Sequence, residues 1–462
     1  MPTTQIFFAS SLYGAATVAA ALDSGCFAAA DRRLLLVSNN AATPETTPAL
    51  DEMPGFERLR SRFDGVLSWN GAIAPFHPGG WAPRPDDVPL WERYLRGLWN
   101  LGDDRIELAV ESVQVVPALA VAQLFPDATL CVYADGLMSY GPTRNKIDPL
   151  VGERVRRLLH LDLVPGLKPL LLAEFGAVPE VVPTESFVKV IAELSDAVPD
   201  AVPGVAAGPA DGSAGGSADA SAHGEPGAGD GPALILGQYL AALDIITREE
   251  EELLHVRLLR GVAAHGHRRV VFKPHPTAPA SWNRTLEEEA RELGVELTVV
   301  ERPLLAEVLY RQLRPSLVAG CFSTGLFTAA AFHGIPVARL GTEPLLDRLT
   351  PYQNSNRVPL TVVDALVPDL ETGTPVVPGP PDAFLTGLLE AVGFAMQPQI
   401  RPDLRPAAER FLAGSLNSRT LRYFKRRRLT VLGLPGGLPV PRNEAVRRVV
   451  RRARHLKRAV LR

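Results

Sequence analysis

Between Pro199 and Pro232 the chain is built from Gly, Ala, Ser, Pro and Asp, with almost no large apolar residue. Such a run cannot bury enough surface to offset the entropy of ordering it, so it reads as a flexible linker that divides the fold into two halves. The length of 462 residues points the same way, because it exceeds what one ordinary core accommodates. A hydrophobic content of 46% with 21% charged residues is that of a globular protein, and a net charge of −3 gives no overall attraction to nucleic acid. Cys26, Cys131 and Cys321 lie far apart in apolar surroundings and read as small core residues rather than as a metal or disulfide framework. Met1 to Phe8 lacks the basic region and cleavage site of a secretory signal. Later apolar stretches are broken by charge or proline before the roughly 18 to 20 residues needed to span a bilayer. The expectation is a cytoplasmic protein.

Each half alternates short apolar strands with helices, the pattern of a parallel sheet covered on both faces. In the first half the expected strands are Ile6 to Ala9, Arg33 to Val37, Gly65 to Trp69, Arg105 to Val110 and Ala128 to Tyr133. Helices are expected over Ala15 to Leu22, Phe56 to Phe63, Leu90 to Leu101 and Pro117 to Leu124, and a Pro/Gly-rich loop with His77 and Trp81 is read as a mobile segment facing a cleft. The small residues of the first helix suit close packing, which leaves Ser10, Ser11 and Tyr13 at its start as cleft candidates. Asp135 follows an apolar strand and precedes Gly136, which places a carboxylate at the sheet's carboxyl edge; an ordinary Asp-Gly turn is the alternative.

In the second half, Leu234 to Leu236 opens the alternation, and Thr247 with Glu250 has capping-box spacing ahead of a helix running to about Ala264. Strand Arg268 to Phe272 then runs into Lys273-Pro274-His275-Pro276, where two prolines stiffen the loop around a cation and an imidazole. That loop is either an anion pocket or a plain connection carrying a histidine. Leu286 to Leu293 is expected as a helix, Glu296 to Val300 as a strand and Leu304 to Leu313 as a helix. Ser316 to Gly320 leads as a strand into Ser323-Thr324-Gly325, hydroxyls and a glycine at the start of helix Leu326 to Phe332, which suits both helix capping and an anion cradle. Val337 to Leu340 is the last strand. Beyond Asp382 the chain is helical and ends in the basic tail Arg442 to Arg462, whose apolar stripe fits either an anionic membrane surface or docking on the protein.

The ordered set Asp135-Gly136, His275-Pro276 and Ser323-Thr324, together with Phe8-Ala9-Ser10-Ser11-Leu12, Ser139-Tyr140-Gly141 and Phe272-Lys273-Pro274, resembles the bacterial polysialyltransferase family over roughly residues 5 to 345. The resemblance implies an α/β GT-B fold, two Rossmann-like domains facing across a cleft. The corresponding division is an acceptor and base domain over 1–198, a linker over 199–232, a donor domain over 233–400 and C-terminal helices with the basic tail over 401–462. It implies an inverting, metal-independent transfer of sialic acid from CMP-sialic acid, with no further cofactor, to a glycan hydroxyl, including a sialylated one that would be extended through α-2,8 linkages. Carried onto this sequence, Asp135 is the base, His275 contacts the departing CMP phosphate, and Pro276, Ser323 and Thr324 bind the donor. Lys273 is added to the donor pocket on grounds of charge, and Ser10, Ser11, Tyr13, Gly136 and Ser139 are acceptor or cleft candidates. Where the family carries a first acidic residue, this chain has Ala134. Two other readings remain at this stage: a GT-B transferase for another CMP-sugar such as CMP-Kdo, and a glycan-binding module of the same fold without catalysis. The tail adds an expected peripheral association with an anionic membrane.

Overall fold

The computed structural model describes residues 1–208, 231–275 and 282–438. The basic tail and most of the linker therefore lie outside the described residues. The first half forms a seven-stranded sheet from β1 (Thr3–Ala9), β2 (Arg32–Val37), β3 (Gly65–Ser68), β4 (Arg105–Val110), β5 (Thr129–Ala134), β6 (Val155–Leu161) and β7 (Val178–Val182), in the order 3-2-1-4-5-6-7 with every pair parallel. The second forms a five-stranded sheet from β8 (Ala233–Leu236), β9 (Arg269–Lys273), β10 (Glu296–Val299), β11 (Leu317–Gly320) and β12 (Val337–Arg339), in the order 10-9-8-11-12, again all parallel. This is the GT-B architecture.

Burial on both sheet faces explains why the strands are apolar throughout rather than alternating. In β1, Phe7 and Ala9 enter one core while Ile6 and Phe8 enter the other, and all four are completely buried. Helix α1 (Leu12–Asp23) follows, with Ser11 Oγ accepting from Gly14 N at 3.0 Å and the alanines Ala15 to Ala21 packed inside. In the second half, Thr247 and Glu250 form the expected capping box ahead of the Arg248–Ala264 helix, with bonds of 3.2 and 2.9 Å.

Several expectations need correction. The five strands expected in the first half do not complete its sheet, which β6 and β7 extend, followed by the Thr184–Asp196 helix. The helix expected over Phe56 to Phe63 is one turn, Glu57–Arg60. The loop with His77 and Trp81 is pinned away from the cleft: Trp81 sits 4.8 Å from Trp91 and 5.8 Å from Trp69, ring to ring, and His77 Nε2 bonds the Ala41 carbonyl at 2.9 Å.

The two halves pack through one apolar core in which Phe187 touches Tyr13 at 5.4 Å and Phe332 at 5.6 Å. Gln312 Nε2 adds a bond to the Val198 carbonyl at 2.7 Å. The chain then returns to the first half: the Gln397 amide donates to the Arg144 carbonyl, and Arg401 donates to the Leu170 carbonyl at 3.1 Å. Among the described residues no helix is long and apolar enough to cross a membrane.

The final helices are fastened by Asp364, whose buried carboxylate accepts from Thr342 at 2.6 Å and Tyr423 at 2.8 Å and pairs with Arg339 at 3.1 Å and Arg422 at 2.6 Å. Removing one member of such a network strands the others. Asp364→Ala should lower unfolding stability by about 3–5 kcal/mol, visible as an earlier denaturant midpoint; an unchanged midpoint would show that the network contributes nothing net.

Candidate active site

In an open parallel sheet, ligands bind beyond the carboxyl ends of the strands where the strand order reverses. The reversals fall between β1 and β4 in the first sheet and between β8 and β11 in the second. The loops that leave β4, β8 and β11, joined by those after β5 and β9, surround a cleft of about 640 Å³. Asp135, Gly136 and Ser139 line it from the first half, and Lys273, His275, Ser323 and Thr324 from the second. The two walls touch: Leu137 N–H reaches Thr324 Oγ1 at 3.5 Å, and a Cβ on Gly136 would lie 3.3 Å from that oxygen. Any side chain at 136 would push the walls apart, so the glycine here follows from close approach and not from the local backbone angle, which is extended.

Asp135 is half-buried, and its carboxyl is pushed up to about 6 by loss of solvent, with a backbone hydrogen bond opposing the rise. Its Oδ2 stands in the space above Gly14, 3.5 Å from where a Cβ would be, beside the Tyr133 hydroxyl, which itself donates to the Phe8 carbonyl at 2.8 Å. The carboxylate is thus held over the first turn of α1. Ser139 is buried and its hydroxyl bonds the Gly136 carbonyl at 3.0 Å, closing the turn behind the base.

Across the cleft, the three loops after β8, β9 and β11 are tied together. Gly237 N–H donates to the Lys273 carbonyl at 2.9 Å, and Phe322 N–H donates to Gln238 Oε1 at 2.7 Å. Ser323 Oγ accepts from Gly325 N, the first residue of the Gly325–His333 helix, at 3.2 Å, while the N-cap residue Thr324 makes no side-chain cap bond. Burial lowers the affinity of Lys273 for its proton, while the Glu307 carboxylate works against that loss. Glu307 is itself buried in the Ala306–Leu313 helix and accepts from Thr328 at 2.6 Å. His275 is exposed toward the cleft, with Tyr239 6.3 Å away ring to ring. Burial of part of the ring and the charge of Lys273 hold its pKa below the ordinary 6.5, so the imidazole is neutral near pH 7. The imidazole is therefore a hydrogen-bonding group beside the Lys273 amine. Pro276 lies outside the described residues.

Three cleft candidates are placed differently. Ser10 gives its backbone N–H to Glu111, Ser11 caps α1, and Tyr13 turns into the inter-sheet packing against Phe187; none of them lines the cleft. Their loop is spent on starting the helix and joining the halves. Conversely, Glu111, Gln238 and Arg144 line the cleft without having been singled out. Arg144 donates to Ser355 at 3.2 Å, which joins the first half to the loop before the Arg357–Leu366 helix. The only sequence sign of Glu111 was its position one residue beyond the expected strand Arg105 to Val110.

A family model described as Alpha-2,8-polysialyltransferase (POLYST) matches residues 5–342. The chain belongs to this family. No curated protein matches it. Among solved structures it is similar to a sialyltransferase from Photobacterium damsela, at 11% identity over 78% of both chains with a TM-score of 0.39. It is similar also to Acinetobacter baumannii MurG, at 9% identity over 91% of this chain and 97% of that one with a TM-score of 0.39. The heptosyltransferase WaaC of E. coli gives 12% identity over 73% and 88% with a TM-score of 0.34. As a member of the alpha-2,8-polysialyltransferase family, the protein is a sialyltransferase-type glycosyltransferase, acting on a nucleotide-sugar donor and a glycan acceptor.

A neutral imidazole beside a lysine gains a proton when a phosphate arrives, since the anion raises the histidine's pKa toward and above neutrality. Binding of a nucleoside monophosphate between pH 6.5 and 7.5 should therefore be accompanied by proton uptake, measured by calorimetry in buffers of different ionisation enthalpy. His275→Ala should remove most of the uptake; identical uptake in that variant would move the titrating group elsewhere.

Proposed function

We propose that this transferase moves sialic acid from CMP-sialic acid to a glycan hydroxyl with inversion and without a metal, extending α-2,8-linked sialic acid. The observation that carries this reading is that Asp135 from the first half and Lys273, His275, Ser323 and Thr324 from the second line one cleft, whose walls meet where Leu137 N–H reaches Thr324. Nothing in the geometry favours CMP-Kdo or a catalytically silent module over it.

In this reading the acceptor hydroxyl attacks the anomeric carbon of the donor while the bond from that carbon to the CMP phosphate oxygen breaks. The hydroxyl proton passes to Asp135, whose raised pKa makes it a better base than an ordinary carboxylate while leaving it ionised near neutral pH. CMP leaves as an anion. Its phosphate gains charge as the bond breaks, and Lys273, a hydrogen bond from His275 and the hydroxyls of Ser323 and Thr324 favour that gain. The N–H groups at the start of the Gly325–His333 helix act in the same sense. A closed cleft keeps water from taking the sugar in place of the acceptor.

The test is incubation with CMP-sialic acid and a labelled sialylated acceptor, read by product size, next to the same assay with CMP-Kdo. Asp135→Asn should lower turnover by about 10²- to 10⁴-fold with CMP binding largely kept. Turnover near wild type in that variant would remove Asp135 from the base role. Product from CMP-Kdo alone would transfer the reading to that donor. His275→Ala should weaken CMP binding or slow CMP release.

A further inference from the structure

Position 134, at the end of the strand that carries the base, is an alanine that packs against the core layer of Ile6, Phe8, Val110 and Val132. Tyr133 belongs to the opposite core layer. Successive strand residues face opposite sides of a sheet, so a side chain at 134 is directed away from the side that Tyr133 and Asp135 share. The neighbouring strand supplies the other possibility. β4 and β5 run parallel with Val110 opposite Val132, so Glu111, the first residue after β4, falls opposite Tyr133 when that register is extended by one, on the side of Asp135. Both carboxylates line the cleft. Both also converge on the junction of β1 and α1: Glu111 Oε2 accepts Ser10 N–H at 3.0 Å, and Asp135 Oδ2 lies over Gly14 one turn further on.

We propose that Glu111 is the positioning partner of Asp135, a second carboxylate on the adjacent strand, held by Ser10, whose own ionisation makes Asp135 a stronger base for the acceptor hydroxyl. This inference rests on the transfer reading given above. The groups around the pair are Tyr13 on α1, Tyr133 on β5, Glu307 on the Ala306–Leu313 helix, and Lys273 and His275 across the cleft. Burial raises Asp135 to about 6; Glu111 is raised to about 7 by burial first and by the charge of Asp135, against the hydrogen bonds from Ser10 that favour its ionised form. The interaction is mutual. As Glu111 loses its proton, the proton affinity of Asp135 rises by the same amount, and a base gains strength with its proton affinity.

The pH dependence of transfer separates this from a merely structural role. Wild-type turnover should rise with pH through two proton losses, whose apparent midpoints lie near 6 and near 7. Glu111→Gln keeps an acceptor for Ser10 N–H and removes the charge. It should rise through one loss only, and at pH 8 run several-fold below wild type, as expected for a weaker base. A Glu111→Gln profile that superimposes on wild type overturns the proposal. A second readout needs no turnover: in full-length protein carrying carbon-13 at glutamate carboxyls, the Glu111 midpoint should fall in Asp135→Asn, and an unmoved midpoint also overturns the proposal. If the wild type transfers no sugar while that midpoint still falls, the transfer reading fails and the coupling of the two carboxylates stands.

Discussion

Everything in this site depends on strands that all point the same way. In a parallel sheet each strand delivers its following loop to one edge, so residues far apart in sequence are gathered there without any contact between them being required beforehand. The first sheet delivers Ser10, Glu111 and Asp135 to one edge; the second delivers Gln238, Lys273, His275, Ser323 and Thr324 to another. The apolar packing of Tyr13, Phe187 and Phe332 and the return of the chain near Gln397 and Arg401 set the two edges face to face. The chemistry of the site is a consequence of that docking as much as of any single side chain.

The two walls differ in sign. Carboxylates stand on one, partly stripped of water and held by backbone N–H groups and the first turn of α1; a lysine, an imidazole and a helix start stand on the other. In the proposed transfer such a separation would let one wall take a proton while the other takes the departing negative charge. Arg144 of the first half also lines the cleft, so the division of charge is not complete, and Glu307 departs from it too. It lies behind Lys273, in the second half, and supports that cation from below without facing the departing charge.

Much of this was legible from local signals. Strand Arg105 to Val110 came out with its observed limits, the Thr247 and Glu250 capping box is present, and the Asp135, His275 and Ser323-Thr324 loops all reach one cleft. What escaped is non-local or disguised. β7 reads Val178-Pro179-Glu180-Val181-Val182, and a proline inside an apolar run argues against a strand; it is tolerated because β7 is at the sheet's edge, where the missing N–H costs no ladder bond. β6 carries Arg156 and Arg157 near its start, which hides its apolar end. Glu111 could not be paired with Asp135 from sequence, because only the register between β4 and β5 brings them together. Tyr13 was the reverse case, a polar residue beside a helix start whose ring packs on Phe187, the residue that meets Phe332 of the other half.

The asymmetry of the contact between the halves bears on how substrates enter. On one side an extended apolar core joins them; at the lips of the cleft two direct bonds do so, Leu137 N–H to Thr324 at 3.5 Å, near the limit of what counts as a hydrogen bond, and Arg144 to Ser355 at 3.2 Å. Parting the lips would break those two polar bonds, whereas separating the apolar side would expose Phe187 and Phe332 to water. The apolar side is therefore the firmer of the two joints. Loss of water is what raises the proton affinity of Asp135 and Glu111, so their basicity depends on how closely the two walls meet.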